Sequence, residues 1–286
     1  MKKNKEIQFK TFGCRLNSFE TEIMGSLTKF SHDKNLTVIN TCAVTNEAIR
    51  KAKKTIRQIK KTTPENKIYV TGCAAQIEPK TFSSMPEVHK VVGNVEKLKK
   101  EFWSNQNQEN EKIIISDIMK EARVRSHSVD GLGTRARAYV QIQNGCDHRC
   151  TFCIIPFGRG NSRSTPSEII LNQITRLVNK GFKEVVLTGV DITSWGLDLY
   201  GSPKLSSLIK AILNSNKDLA RLRLSSIDQI ELDDEFLSLF LNEERIMPHL
   251  HLSIQSGDNM ILKRMKRRHS REDTIKFCEE IRKKRS

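Results

Sequence analysis

The chain has 286 residues, with 49 lysines and arginines against 33 aspartates and glutamates, a net charge of +16. Hydrophobic residues make up 37% and aromatic residues 6%, which is lean, yet the length suits about two domains with a sizeable core. No stretch approaches the roughly 18 apolar residues of a membrane span, and the basic start MKKNKEIQFKTFGC lacks an apolar export segment. A secreted or membrane protein is therefore not expected, and a cytoplasmic location is.

In chain order, residues 6–12 predict a strand ending at Gly13-Cys14, residues 17–30 a helix, and residues 36–40 a β-rich run ending at Thr41-Cys42. From Asn46 to Thr62 the pattern is helical, with Ala48, Ala52, Ile56 and Ile59 on one face. Residues 67–71 predict a third strand, stopping at Gly72-Cys73, followed by a helix and the apolar run Lys90 to Gly93. This alternation implies a parallel sheet. Cys14, Cys42 and Cys73 then all lie just past strand carboxyl ends, the edge at which such sheets bind ligands. The plainer reading is that they are small buried hydrophobes.

The polar stretch SNQNQENE and the glycines of VDGLGTR break the pattern, giving a first domain over 1–103, a linker over 104–131 and a second domain over 132–286. There the alternation resumes, with a strand at 138–143, a cysteine-bearing loop and a helix at 166–180. Thr165 and Glu168 around Pro166 read as a capping box. Ile170, Ile174, Leu177 and Val178 form the apolar face of that helix, and Gly181 ends it. Strands at 184–189, 220–225 and 248–254 alternate with helices near 204–214 and 232–242, and a basic helix closes the chain. Four βα units joined by right-handed crossovers make an open parallel sheet or a partial barrel.

The surplus charge asks for a polyanionic partner, since lysines and arginines facing phosphates release counterions. Solvated faces such as Arg50 to Lys61 are the alternative. The seven cysteines, without an export signal, point to metal or redox chemistry rather than disulfides. Cys146, Cys150 and Cys153 in GCDHRCTFC have Cys-x3-Cys-x2-Cys spacing directly after a predicted strand. Three thiolates in one loop can hold three irons of a 4Fe–4S cluster and leave the fourth open. A redox pair at Cys150 and Cys153, or a zinc shared with a distant residue, are the other readings. The loop follows the first strand of a βα series, where a barrel's active site would be.

This loop, with Phe152 before its last cysteine, resembles the radical S-adenosylmethionine (SAM) superfamily. Together with TFGCRLNSFETE, INTCAVTNEA, VTGCAAQ and RAYVQIQNGCDHRCTFCIIPFGRGNSRS, it resembles the methylthiotransferases, in particular the threonylcarbamoyladenosine tRNA methylthiotransferases of the MtaB type. The resemblance implies an α/β fold: a three-layer N-terminal domain with a parallel sheet, then a radical-SAM partial (βα) barrel. It implies two 4Fe–4S clusters and SAM as cofactors. One cluster would be held by Cys146, Cys150 and Cys153, and the other by Cys14, Cys42 and Cys73. It also implies methylthio insertion at carbon 2 of N6-threonylcarbamoyladenosine at position 37 of tRNA. In the family mechanism one SAM methylates sulfur at the N-terminal cluster and another yields a 5′-deoxyadenosyl radical. An electron donor such as flavodoxin or ferredoxin is implied as a partner. The alternatives are isopentenyladenosine tRNA, a ribosomal-protein aspartate, or an inactive iron–sulfur fragment that binds RNA.

On the same ground Phe152 contacts the adenine or orients the loop, with core packing as the alternative. Thr188 and Gly189 contact the methionine amino group or form a plain strand-to-loop turn. Arg223, Ser225, Ser253 and Gln255 face the cofactor or reflect alternating burial. Arg159 and Arg163 meet cofactor or tRNA phosphate, or sit in a solvated loop. Cys278 has no evident partner. The family barrel has six βα units and a β-rich TRAM domain, so the chain is expected to be C-terminally truncated with an incomplete barrel. A separate C-terminal fragment then becomes a further expected partner.

Overall fold

The computed structural model describes residues 7–31, 35–104, 111–124 and 136–285. Two compact units emerge: Met1–Glu121 with Ile154–Gly160, and Ala122–Cys153 with Asn161–Ser286. Residues 105–110 and 125–131 of the expected linker lie outside the described residues.

In the first unit, β1 (Gln8–Thr11), β2 (Leu36–Thr41), β3 (Lys67–Gly72), β4 (Lys90–Val92) and β5 (Ile113–Ile114) form an all-parallel sheet in sequence order. All six residues of β2 are buried, as in a strand covered on both faces. Its polar members are paired inside: Thr41 Oγ1 donates to the Thr71 carbonyl at 2.6 Å, and Asn66 Nδ2 donates to Thr37 Oγ1 at 3.1 Å. The helices in chain order are α1 (Arg15–Leu27), α2 (Asn46–Thr62), α3 (Cys73–Ile77), α4 (Pro79–Ser83) and α5 (Lys100–Ser104). Thr45 starts α2 by accepting the Ala48 N–H at 3.2 Å. Ala52 and Ile56 of α2 pack with Ile39, Ile68 and Val70 of the sheet, while Lys54, Arg57 and Lys61 stay exposed. The returning segment carries α6 (Ile155–Arg159).

In the second unit, β6 (Ala138–Gln141) and β9 (Glu184–Thr188) pair in parallel, and β10 (Arg221–Leu224) flanks β9 on its other edge. Ala138, Val140, Val185, Leu187, Leu222 and Leu224 join one core with α7 (Ser167–Asn179) and α8 (Leu205–Ser215). The alternating residues Gln141, Thr188 and Glu184 occupy the opposite face of these strands, and all are buried.

Three expectations are corrected here. The strand at 138–143 splits into β6 and the short β7 (Gln143–Asn144), which pairs antiparallel with β8 (Arg163–Ser164). The expected capping box at Thr165 is absent. The Thr165 hydroxyl donates to the Gln141 carbonyl at 3.3 Å, and α7 begins at Ser167 with no side-chain cap. A capping box stands instead at Ser270 and Asp273, opening α11 (Arg271–Lys284). The fourth strand is reduced to β12 (His251–Leu252), parallel to β11 (Ser226–Ile227), plus an isolated bridge between Ile246 and Leu222. Pro248 has no N–H to give a ladder, so the chain leaves the sheet between those two contacts. Between β11 and β12 runs α9 (Asp234–Asn242), and α10 (Asn259–Arg264) follows β12.

Glu184 anchors the amino end of β9, bonded by Arg137 at 2.9 Å, Arg221 at 3.0 Å and Arg223 at 2.8 Å. Burial alone would raise its pKa, but the bonds from Arg223 and Arg221 and the charge of Arg137 hold it below the usual range. A depressed carboxylate contributes stability above its ordinary pKa and loses it as pH falls through the depressed value. Glu184→Gln should therefore cost about 2–3 kcal/mol at neutral pH. The gap to wild type should close only in acid, below the ordinary carboxylate range, as urea melts across pH would show.

Candidate metal centres

Cys14 follows β1, Cys42 follows β2 and Cys73 opens α3 after β3, so the parallel sheet delivers the three thiols to one edge. Cys14 is exposed, and Cys42 and Cys73 are buried. Burial, with the charges of Cys73 and Cys14, raises the Cys42 pKa against the Val44 N–H that bonds its sulfur at 3.5 Å. Glycines make the closeness feasible. A Cβ on Gly13, whose φ is +97°, would lie 2.8 Å from the Cys42 sulfur, and one on Gly158 would lie 3.1 Å from the Cys73 Cβ.

Arg159, on α6, is 2% exposed and reaches the same place. Its Nε donates to the Cys73 sulfur at 3.1 Å, and its terminal nitrogens bond Glu20 and Asn17. Lys97 Nζ bonds Glu20 at 2.7 Å and Asn94 Oδ1 at 2.6 Å. Asn94 Nδ2 bonds the Gly158 carbonyl at 2.6 Å, and Asn17 Nδ2 bonds the Thr41 carbonyl at 2.9 Å. Arg159 is thus buried among protein partners and not in a solvated loop, the plainer of its two sequence readings. Asn17 and Glu20 lie inside the block TFGCRLNSFETE, but nothing in it marks them as partners of residue 159, and Asn94 and Lys97 belong to no motif.

In the second unit, Gly145, with φ +75°, turns the chain from β7 into the loop of Cys146, Cys150 and Cys153. Burial, then the nearby Asp191 carboxylate, pushes the Cys146 thiol up to about 12, with smaller contributions from Cys153 and Cys150. His148 Nε2 lies 3.1 Å from both Asp191 Oδ2 and Glu231 Oε1. Hydrogen bonds to these two carboxylates raise its pKa to about 10 despite burial. Thr193, Ser194 and Arg268 complete the cluster. Ligand atoms of Cys146, His148 and Asp191 lie within 4.8 Å of one another. Held between the Asp191 and Glu231 carboxylates, His148 ties the cysteine loop to the segments that follow β9 and β11. Arg267 reaches the Cys150 sulfur at 3.7 Å and Asp228 at 2.7 Å. No sequence spacing joins these partners to the loop, and the histidine inside GCDHRC is the local hint of them.

Phe152 is half exposed at 51%. Thr188 ends β9 with its hydroxyl buried and without a hydrogen-bond partner among the described residues, and so does the hydroxyl of Ser225, one residue past β10. Gly189 is fixed by packing: a Cβ there would lie 2.8 Å from Ile192 and 2.9 Å from the Gln143 carbonyl. Arg223 is taken up by Glu184. The Ser253 carbonyl receives Arg267 at 2.9 Å, and Gln255 is exposed with φ +69°. Arg163 is buried within β8, and Cys278 is half-buried on α11.

Residues 140–286 match the radical SAM superfamily. The chain belongs to that superfamily. Residues 6–93 match the family described as uncharacterized protein family UPF0004. A threonylcarbamoyladenosine tRNA methylthiotransferase MtaB from Rickettsia prowazekii is 50% identical over 99% of this chain and 66% of its own length. A second MtaB, from Aquifex aeolicus, is 37% identical over 94% of this chain and 67% of its own. A tRNA-2-methylthio-N(6)-dimethylallyladenosine synthase from Orientia tsutsugamushi is 32% identical over 98% and 67%. The chain is thus a member of the radical SAM methylthiotransferase family that spans about two thirds of these relatives' length.

Among solved structures, the radical SAM methyltransferase TsrM from Kitasatospora setae superposes with a TM-score of 0.63 at 15% identity, over 94% of this chain and 58% of that one. The cobalamin-dependent SAM radical enzyme OxsB gives 0.55 at 13%, over 96% and 47%. These likenesses show the α/β radical-SAM-type fold. Membership of the radical SAM methylthiotransferase family implies a 4Fe–4S cluster and SAM. The second unit fits both groups, with three thiols in one loop and two orphaned buried hydroxyls at adjoining strand ends. Among the described residues no helix is long and apolar enough to cross a membrane.

Proposed function

We propose that this chain carries out methylthio transfer to carbon 2 of N6-threonylcarbamoyladenosine at position 37 of tRNA. The observation that carries the reading is the presence, in one radical SAM chain, of a second trio of thiols gathered at a sheet edge. The 50% identity to an MtaB supports this substrate over the dimethylallyl-adenosine nucleoside of the Orientia relative, at 32%.

Cys146, Cys150 and Cys153 would hold the radical-generating 4Fe–4S cluster, and Cys14, Cys42 and Cys73 a second one. The first cluster and SAM supply the radical chemistry when bound, and the protein supplies position and exclusion of water. Cys146 must give up a tightly held proton on ligation. The His148 clamp on Asp191 and Glu231 fixes the loop. Thr188 and Ser225 offer buried hydroxyl oxygens to a cationic amino group. Gly189 keeps that strand end packed on Gln143, and the Phe152 ring presents a face for the adenine. A small electron donor such as flavodoxin or ferredoxin would supply the reducing electron.

Mass spectrometry of tRNA from cells lacking the gene tests the substrate. Loss of the methylthio group from threonylcarbamoyladenosine, restored by the gene, is the expected result. An unchanged level, with loss of a ribosomal-protein modification instead, would reassign the target. The polyanionic partner gives a further expectation at α2. Lys54, Arg57 and Lys61 are exposed and spaced along one helix face. Reversing all three to glutamate should weaken tRNA binding by roughly a hundredfold at low salt. It should also flatten the logarithmic salt slope by about two to three, measured by filter binding across a salt series.

A further inference from the structure

Under the first trio of cysteines lie two cations and one carboxylate, all buried: Arg159 at 2% exposure, Lys97 at 0% and Glu20 at 1%. Glu20 can neutralise only one of the two, and burial, together with the neighbouring guanidinium, pushes the Lys97 pKa down. Neutral thiols leave a buried positive charge uncompensated, which is costly in a protein interior. A 4Fe–4S core in its doubly positive state, held by three thiolates, carries one net negative charge and removes that imbalance.

We propose that Arg159 is the counter-cation and sulfur hydrogen-bond donor of the N-terminal cluster, a positioning residue that stabilises this cluster and raises its reduction potential. The inference rests on the reading of Cys14, Cys42 and Cys73 as cluster ligands. Three independent anchors aim the guanidinium. Glu20 and Asn17 grip its terminal nitrogens, and Asn94 holds the Gly158 carbonyl just before it at 2.6 Å. That grip leaves Nε directed at the Cys73 sulfur, 3.1 Å away. Gly158 supplies the clearance, since a Cβ there would press on Cys73 at 3.1 Å. A role in folding alone would not need the second cation, because Lys97 and Glu20 already balance each other at 2.7 Å. Hydrogen bonds and positive charge at cluster sulfurs raise potentials and secure ligands.

The test uses the full chain with Cys146, Cys150 and Cys153 replaced by alanine, reconstituted anaerobically with iron and sulfide. Iron per chain, the midpoint potential followed by electron paramagnetic resonance, and the rate of iron loss to a ferrous chelator are measured for Arg159, Arg159→Gln and Arg159→Lys. R159Q retains the balanced Lys97–Glu20 pair. It is expected to lose iron at least tenfold faster and to titrate at a more negative potential. R159K keeps the charge without the aimed Nε, so it should recover the potential while still losing iron faster. Equal potentials and loss rates in all three proteins would overturn the proposal. If R159Q does not fold, wild-type loss rates in R159K overturn it by themselves. Failure of the Arg159 protein to take up iron, or uptake of zinc alone, would instead remove the underlying reading of the trio.

Discussion

Replacing Glu20 with alanine should lower the unfolding free energy of the first unit by about 3–5 kcal/mol, a shift on the order of 10 °C in its melting temperature. The carboxylate is 1% exposed and is the shared partner of Arg159 and Lys97. Its loss leaves two buried cations facing each other, whereas Lys97→Met leaves a balanced Glu20–Arg159 pair and should cost clearly less. Melting of the metal-free protein checks both the size and the order. Burial would raise the Glu20 pKa, but Arg159 and Lys97 together hold it below its ordinary 4.5. Its contribution is therefore complete above the ordinary glutamate range and is lost as pH falls through the depressed value. The gap between wild type and E20A should persist from neutral pH to about 4.5 and close only below it. Equal stability of E20A and wild type at neutral pH would contradict the charge pattern described for the buried network.

Substitution within the two cysteine trios should separate two chemistries. Reconstituted wild type should carry about eight irons per chain, and Cys150→Ala or Cys42→Ala about four each. C150A should also abolish cleavage of SAM to 5′-deoxyadenosine. C42A should retain that cleavage and lose methylthio transfer. Loss of cleavage in both variants, or iron unchanged in C42A, would deny the first trio a separate cluster. Iron analysis, product chromatography and nucleoside mass spectrometry on the same preparations decide it.

The alternation of strands and helices was readable because apolar period and turn residues are local properties. That local reading was enough to put Cys14, Cys42 and Cys73 beyond the ends of β1, β2 and β3. The Cys-x3-Cys-x2-Cys loop was readable for the same reason. The polar groups around the cysteines were not. Arg159 lies 139 residues from Glu20, and Lys97 lies 77 from it, so no spacing rule joins them. His148 looked like part of a motif, yet its partners Asp191 and Glu231 arrive from two later loops. Local rules also misled. Thr165 had the sequence of a helix cap, but a tertiary bond to Gln141 claimed its hydroxyl. The strand at 248–254 had alternating apolar residues, and Pro248 cost it a continuous ladder.

The return of Ile154–Gly160 into the first unit bears on how this protein can be divided or recombined. A polypeptide stopped at residue 124 would include every strand of the first sheet and all three of its thiols, yet it would be missing the guanidinium beside Cys73. Chimeras that exchange the leading half between relatives would pair one parent's Glu20 and Asn17 with the other parent's residue 159. Compatibility across that seam, rather than sheet stability, should decide which hybrids accumulate as intact protein.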